Sequence, residues 1–367
     1  MTILTGEQLN HIPVTRQERY PLRQLREYLR TGQGVCVLQG PGLTGKTELL
    51  WQAARHVPDD PGAAPGEVAC FIGDRGDSFD DLCIELEERP ELRYVFLHRV
   101  EYFAHILRCG DYLRDYAGGG KRKIVLTGNS PLALRLLTVY TLENRCEVIH
   151  VPYLTDYEHC RFVRRQLQPD AASLSEYLSH GGLSRVVPNP EDYLRDCWAE
   201  PIAELYETQM ESDVFVWLRP EEYEDTDWMS YLTAILRMAS GNTPTGRETV
   251  AREFQDYFAC PERRMERRRT ETTALLELLL HFGILLEWRE GSRTRCAPGA
   301  PFLYHYYAVK DEGLGRRLLE AVLRRECPDA PIPELLRADD PDHIAALLFR
   351  QGEKAYGNDG LIEDDPR

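Results

Sequence analysis

Five short apolar runs punctuate the first 151 residues, at 35–38, 68–72, 94–97, 124–127 and 148–151. Longer stretches with helical spacing separate them. Near-continuous apolar strands alternating with helices predict a parallel sheet covered on both faces. Ahead of the first run, apolar residues at 22, 25, 28 and 29 predict an amphipathic helix over 20–29, stopped at Thr31-Gly32-Gln33-Gly34. Residues 59–66 and Gly118-Gly119-Gly120 read as loops by composition.

The strand rhythm stops after Pro152. Helical spacing dominates 156–240, where residues 228, 231, 232, 235, 236 and 239 share one apolar face. A break at 240–246 leads to a helical stretch at 248–258 and an apolar helix at 272–282 closed by Gly283. A strand at 284–288 then precedes the turn Glu290-Gly291-Ser292. Helix, helix and hairpin in that order match the layout of a winged-helix module. The stretch after Pro328 is acidic and Pro-rich, and its Glu363-Asp364-Asp365 end is expected to be mobile. The expected class is therefore α/β. A parallel-sheet domain over 1–165 is followed by a helical region over 166–240, a winged-helix domain over 241–325 and an acidic C-terminal segment over 326–367.

The first apolar run leads directly into Gly40-Pro41-Gly42-Leu43-Thr44-Gly45-Lys46-Thr47, a complete G-x-x-x-x-G-K-[ST] phosphate-binding loop. Its glycines permit backbone conformations in which successive N–H groups converge on phosphates, and the helix expected from Lys46 adds its positive end. Lys46 is placed to reach the β- and γ-phosphates, and the Thr47 hydroxyl to ligate Mg²⁺. The fourth run ends in polar Thr127-Gly128-Asn129, on the same strand-end rim where open α/β sheets bind ligands.

A net charge of −16 opposes general attraction to nucleic acid or anionic lipid. The basic run Arg263-Arg264-Met265-Glu266-Arg267-Arg268-Arg269 is interrupted and flanked by acids, so a solvated or protein-facing helix is favoured over a nucleic-acid grip. The aromatic run 302–307 reads as the packed element of a small domain. No stretch of about 18 apolar residues occurs and the start lacks a signal-peptide pattern, so a cytoplasmic location without membrane contact is expected. The ten cysteines are scattered without a C-x-x-C pair, as reduced core thiols are.

Phosphate-loop ATPases need a second element. An Asp at the end of another apolar strand positions hydrated Mg²⁺, and in many an adjacent Glu polarises the attacking water. Here the strand 94–97 ends in His98-Arg99. A neutral imidazole supplies no carboxylate charge, and an always-protonated guanidinium cannot act as a base. A substitute carboxylate (Glu101, Asp74 or Asp77), a partner subunit, or Arg99 acting as a γ-phosphate sensor would each fill the gap. Glu101 is the weakest by pattern, because on a continuing strand it lies farther along and reads as a solvated surface charge.

Taken with residues 94–103, Thr127-Gly128-Asn129-Ser130 and Leu142-Glu143-Asn144-Arg145-Cys146, the loop resembles that of the prokaryotic AAA-like ATPases related to the STAND class, which carry a C-terminal winged-helix region. The resemblance covers 15–165 specifically and 240–310 loosely. It implies ATP or ADP with Mg²⁺, Asn129 near the sensor position, and Arg145 as a phosphate-facing charge. It departs at the acidic (Walker B) pair. The reading it implies is a nucleotide acting as a structural or regulatory ligand, with slow or absent hydrolysis. The chain would work through a protein partner or oligomer, as in a prokaryotic defence assembly. The alternatives are an active ATPase using a substituted carboxylate or partner subunit, and a nucleotide-regulated winged-helix DNA-binding protein.

Overall fold

Each of the five apolar runs becomes a strand: β2 (Gly34–Gln39), β3 (Val68–Ile72), β4 (Tyr94–His98), β5 (Lys123–Thr127) and β6 (Glu147–His150). The sequence pattern misses β1 (Thr2–Thr5), which pairs antiparallel with β3 at the sheet edge. The other pairings are parallel, and the order is β1-β3-β4-β5-β2-β6. The computed structural model describes residues 1–14, 18–57, 62–108, 110–118, 121–166, 168–185, 187–201, 228–241, 276–277 and 279–356. The expected helix at 248–258, residues 272–275 and 278 of that at 272–282, the basic run 263–269 and the acidic end 363–365 lie outside these residues.

The chain forms two compact units, Met1–Val151 with Asp192–Thr226, and Pro152–Glu191 with Asp227–Arg367. The chain leaves the first unit after Val151, whose N–H is held by the Gln39 carbonyl at 2.6 Å, and returns at Asp192.

In the first unit, β4 is buried along its whole length, as a strand covered on both faces must be. The expected helix at 20–29 runs from Tyr20 to Thr31 and buries Leu22, Leu25, Tyr28 and Leu29 on one stripe, against a core that includes Cys36, Leu38, Phe96 and Val125. Because β2 lies between β5 and β6, the connections on either side of it run in opposite directions along the sheet. That arrangement opens a crevice at the carboxyl ends of these strands.

The second unit carries the antiparallel hairpin of β7 (Leu285–Glu290) and β8 (Arg293–Pro298), with Gly291 at φ 61° in the turn, as expected from the sequence. The aromatic run is the helix Pro301–Tyr307. As far as Tyr356, the acidic stretch after Pro328 carries two helices, Ile332–Ala338 and Pro341–Tyr356. Pro341–Tyr356 is a helix whose Ile344, Ala345 and Leu348 pack with Leu174, Tyr177 and Leu323, because the apolar spacing of 344, 345 and 348 survives among the acids. The described cysteines of both units are all free. Among the described residues no helix is long and apolar enough to cross a membrane.

Asp156 in this unit is fully buried and neither of its carboxylate oxygens has a partner. Its backbone N–H donates to Glu326 at 2.9 Å, while Arg325 bonds Glu326 and Tyr177. Burial, then the neighbouring Glu326 charge, pushes the Asp156 carboxyl up to about 8, with Arg325 opposing. The folded state thus holds a proton that the unfolded chain releases at an ordinary 3.8. This contribution to stability is complete below the lower value and is lost as pH rises through about 8. Asp156→Asn keeps the shape without the titration. Its Tm should gain on the parent as pH climbs from about 5 to 8, and parallel Tm–pH curves would remove this role.

Candidate functional site

Residues 40–47 close the path from β2 into the helix Lys46–His56. Two positions carry the turn, Leu43 at φ 56° and Gly45 at φ 86°, the second capping the helix in the left-handed region that glycine adopts without penalty. Thr44 is buried, its hydroxyl donating to the Pro41 carbonyl at 2.9 Å, and Arg19 donates to the Thr44 carbonyl. Lys46 is 5% exposed and donates to the carbonyls of Gly40 at 2.8 Å and Pro41 at 2.6 Å. Burial lowers its ammonium to about 8, with Cys197 and Glu101 pulling the other way and Arg19 adding to the depression. Thr47 follows, half-buried on the first helical turn. The loop thus leads into a helix N-terminus with a buried cation at its floor, the arrangement by which anions are held at helix starts.

The segment that returns at Asp192 seats on this loop. The Tyr193 hydroxyl donates to the Gly42 carbonyl at 3.4 Å, and a Cβ added at Gly42 would lie 2.4 Å from the Cys197 sulfur. Cys197 belongs to the π-helical turn Arg195–Ala199 and is buried with Trp198. Sequence reasoning missed both Tyr193 and Cys197, which stand about 150 positions from the loop they touch and carry no local pattern.

At the ends of β4 and β5, His98 and Thr127 are register partners on the rim that holds the loop. The His98 ring is buried and packs edge-on against Trp51 of the loop's own helix, with centroids 5.9 Å apart. Burial, then Arg99 and Lys46, lowers it to about 4, so it is neutral near pH 7. Arg99 takes the left-handed conformation, φ 58°, and ends the strand. Its side chain turns out to Asp74 at 2.8 Å and stacks over the Tyr102 ring at 4.5 Å.

That reversal corrects the expectation for Glu101. The chain does not continue as a strand; Val100–Tyr102 is a 3₁₀ turn that folds Glu101 inward, leaving it 1% exposed rather than solvated. One carboxylate oxygen accepts the Asn129 backbone N–H at 2.9 Å, and the other is buried without a partner. Burial raises its carboxyl, opposed by hydrogen bonds from backbone N–H groups, including that of Asn129, and by the Lys46 and Arg99 charges. Its backbone contact puts Asn129 beside this carboxylate, while the Asn129 side chain is exposed.

The other expected groups are elsewhere. Asp74 is paired with Arg99, and Asp77 with the N-terminal amine at 2.6 Å. Arg145 precedes β6, and Cys36 is the register partner of Glu147, so Arg145 lies level with Gly34 at the opposite edge of the sheet. From there to Gly40 the strand spans roughly 20 Å at about 3.3 Å per residue. Arg145 is 71% exposed and pairs with Glu143 at 3.6 Å. It does not face the cradle of its own chain.

No protein-family model and no curated protein matches the sequence. Among solved structures, the chain is similar to the ORC2 protein of Aeropyrum pernix in ADPNP and ADP complexes, at 13% identity and TM-score 0.40, over 90% of this chain and 97% of that one. It is also similar to the Aeropyrum pernix ORC1 protein in complex with DNA, at 15% identity and TM-score 0.33, over 86% and 98%. A third is a STAND protein with a tetratricopeptide repeat sensor from Pyrococcus horikoshii, at 13% identity and TM-score 0.31, over 95% of this chain and 50% of that one. The α/β phosphate-loop fold of the first unit rests on its own strand order and loop geometry.

Proposed function

We propose that this chain is an AAA-like protein that binds ATP or ADP with Mg²⁺ at residues 40–47, and that the nucleotide is a regulatory ligand with slow turnover. The observation that carries this reading is the cradle: a left-handed Gly45 opening a helix, with the buried Lys46 ammonium on the loop's own carbonyls. Slow turnover is supported by the strand end, where a neutral His98 and an outward Arg99 stand in place of two acids. One buried carboxylate, Glu101, remains for the two tasks that a pair performs.

A ligand that binds one state shifts the population toward it, and the 193–199 segment resting on Gly42 is the element placed to respond. The recipient would be a protein partner or a further copy of the chain, as in a prokaryotic multi-protein assembly, since the −16 charge disfavours nucleic acid. Calorimetry with ATP and Mg²⁺ should give saturable one-site binding, while steady-state phosphate release runs orders of magnitude below the roughly 10 per second of typical enzymes. Absence of nucleotide binding would end this reading. Release at an ordinary rate, lost in Glu101→Gln, would favour a second one, supported by the buried unpartnered oxygen of Glu101, in which the chain is a working ATPase.

A further inference from the structure

Three polar atoms at the ends of β4 and β5 are buried without partners: Nδ1 of His98, the second carboxylate oxygen of Glu101 and the Thr127 hydroxyl. Leaving such atoms unpaired costs about 1–3 kcal/mol each, and their gathering on the loop rim leaves acceptors and a hydroxyl that the waters of a hydrated ion would pair. Only one of the three belongs to a residue that can carry negative charge. Its orientation is fixed from two sides. The left-handed Arg99 turns the chain back, and the Asn129 N–H holds one oxygen at 2.9 Å so that the other is free. That second oxygen packs on the Gly128 backbone, where an added Cβ would meet it at 2.1 Å, so the side chain has no room to swing toward β5.

The geometry points to Glu101 as the carboxylate that holds the water shell of the nucleotide's Mg²⁺, displaced three positions beyond the last residue of β4. This assignment rests on nucleotide binding at the loop. Thr47 would ligate the metal directly from the first helical turn. Glu101 would accept hydrogen bonds from metal-bound waters through its free oxygen, with the His98 imidazole and the Thr127 hydroxyl as neutral partners to the same waters. A carboxylate in this position neutralises part of the ion's charge and fixes its place relative to Lys46.

The test compares nucleotide affinity with Mg²⁺ and with EDTA by calorimetry, using the full chain and a non-hydrolysable ATP analogue, so that no turnover enters the readout. The parent should bind more tightly with Mg²⁺. Glu101→Gln, which retains the acceptor for Asn129, should lose about 10- to 100-fold of that enhancement, the usual effect of removing a group that orients metal ligands. In EDTA it should bind at least as tightly as the parent, because a negative charge near the phosphates has gone. Glu101→Asp, with the charge kept and the reach shortened by one methylene, should retain part of the enhancement and stands in if the Gln variant misfolds. A Glu101→Gln chain with the full Mg²⁺ enhancement overturns the assignment while leaving the loop site intact. A parent chain that binds no analogue in either condition overturns both.

Discussion

Lys46→Ala should weaken ATP binding by at least about tenfold, or about 1.4 kcal/mol, and should also abolish a proton uptake that accompanies binding in the parent. The first effect follows from the removal of the buried ammonium at the floor of the loop. The second follows from its environment, because burial holds the Lys46 ammonium at about 8. Near pH 8 about half of the chains therefore carry a neutral amine at that position. An arriving polyphosphate favours the charged form and raises the value, so the complex binds more protons than the free chain. Affinity should then be greatest below about pH 8 and fall above it. Calorimetry at pH 8 in two buffers of different ionisation enthalpy measures the uptake as the difference in apparent heat. Equal heats in the two buffers would mean that Lys46 is already charged in the free chain, and an unchanged affinity in Lys46→Ala would mean that the loop is not the site.

Gly40→Ala should produce the largest loss of stability of any single-methyl change in the loop. A Cβ at this position would lie 2.0 Å from the Val151 carbonyl oxygen and 2.9 Å from its carbon, both backbone atoms. Neither strand can yield cheaply, since the Val151 N–H is pinned to the Gln39 carbonyl and β2 is bonded on its two sides to β5 and β6. Overpacking of this kind costs about 1–3 kcal/mol, and for a domain of this size each kcal/mol lowers Tm by roughly 2–4 °C. Gly66→Ala is the control, because an added Cβ there meets nothing within 4 Å at an ordinary φ. Thermal melts that move equally for the two variants would show that the approach of Val151 to the loop is looser than described.

The strands of the first unit were legible because a sheet covered on both faces requires apolar runs, and 35–38, 68–72, 94–97 and 124–127 are such runs. β1 was not, because a four-residue edge strand has too few positions to establish a period. The turn out of β2 and the helix start at Lys46 fall where the glycines and the lysine place them. Glu101 was misjudged for a specific reason: a non-glycine residue in the left-handed region, Arg99, reverses the chain, and nothing in the side chain of an arginine announces that. A weaker signal was present, since Glu101 stands between Val100 and Phe103, both fully buried. Arg145 could have been placed from topology alone. A residue that precedes a parallel strand must lie at the edge opposite to the one where a loop follows a parallel strand.

The return of the chain at Asp192 sets an order on synthesis. Every strand of the sheet has been made by the time His150 is joined, and the loop some hundred residues earlier. Yet Gly42 acquires its neighbours Tyr193 and Cys197 only after a further stretch of chain has left for the second unit. A nascent chain shorter than about 200 residues therefore exposes an open, incompletely walled cradle to the nucleotide pool. Domains tend to fold as units while they emerge at about 5–20 residues per second. On that scale the gap between the last strand and the seating of Cys197 lasts seconds, during which the loop stands without that wall. A chain cut after β6 would keep the sheet and the loop and lose the wall.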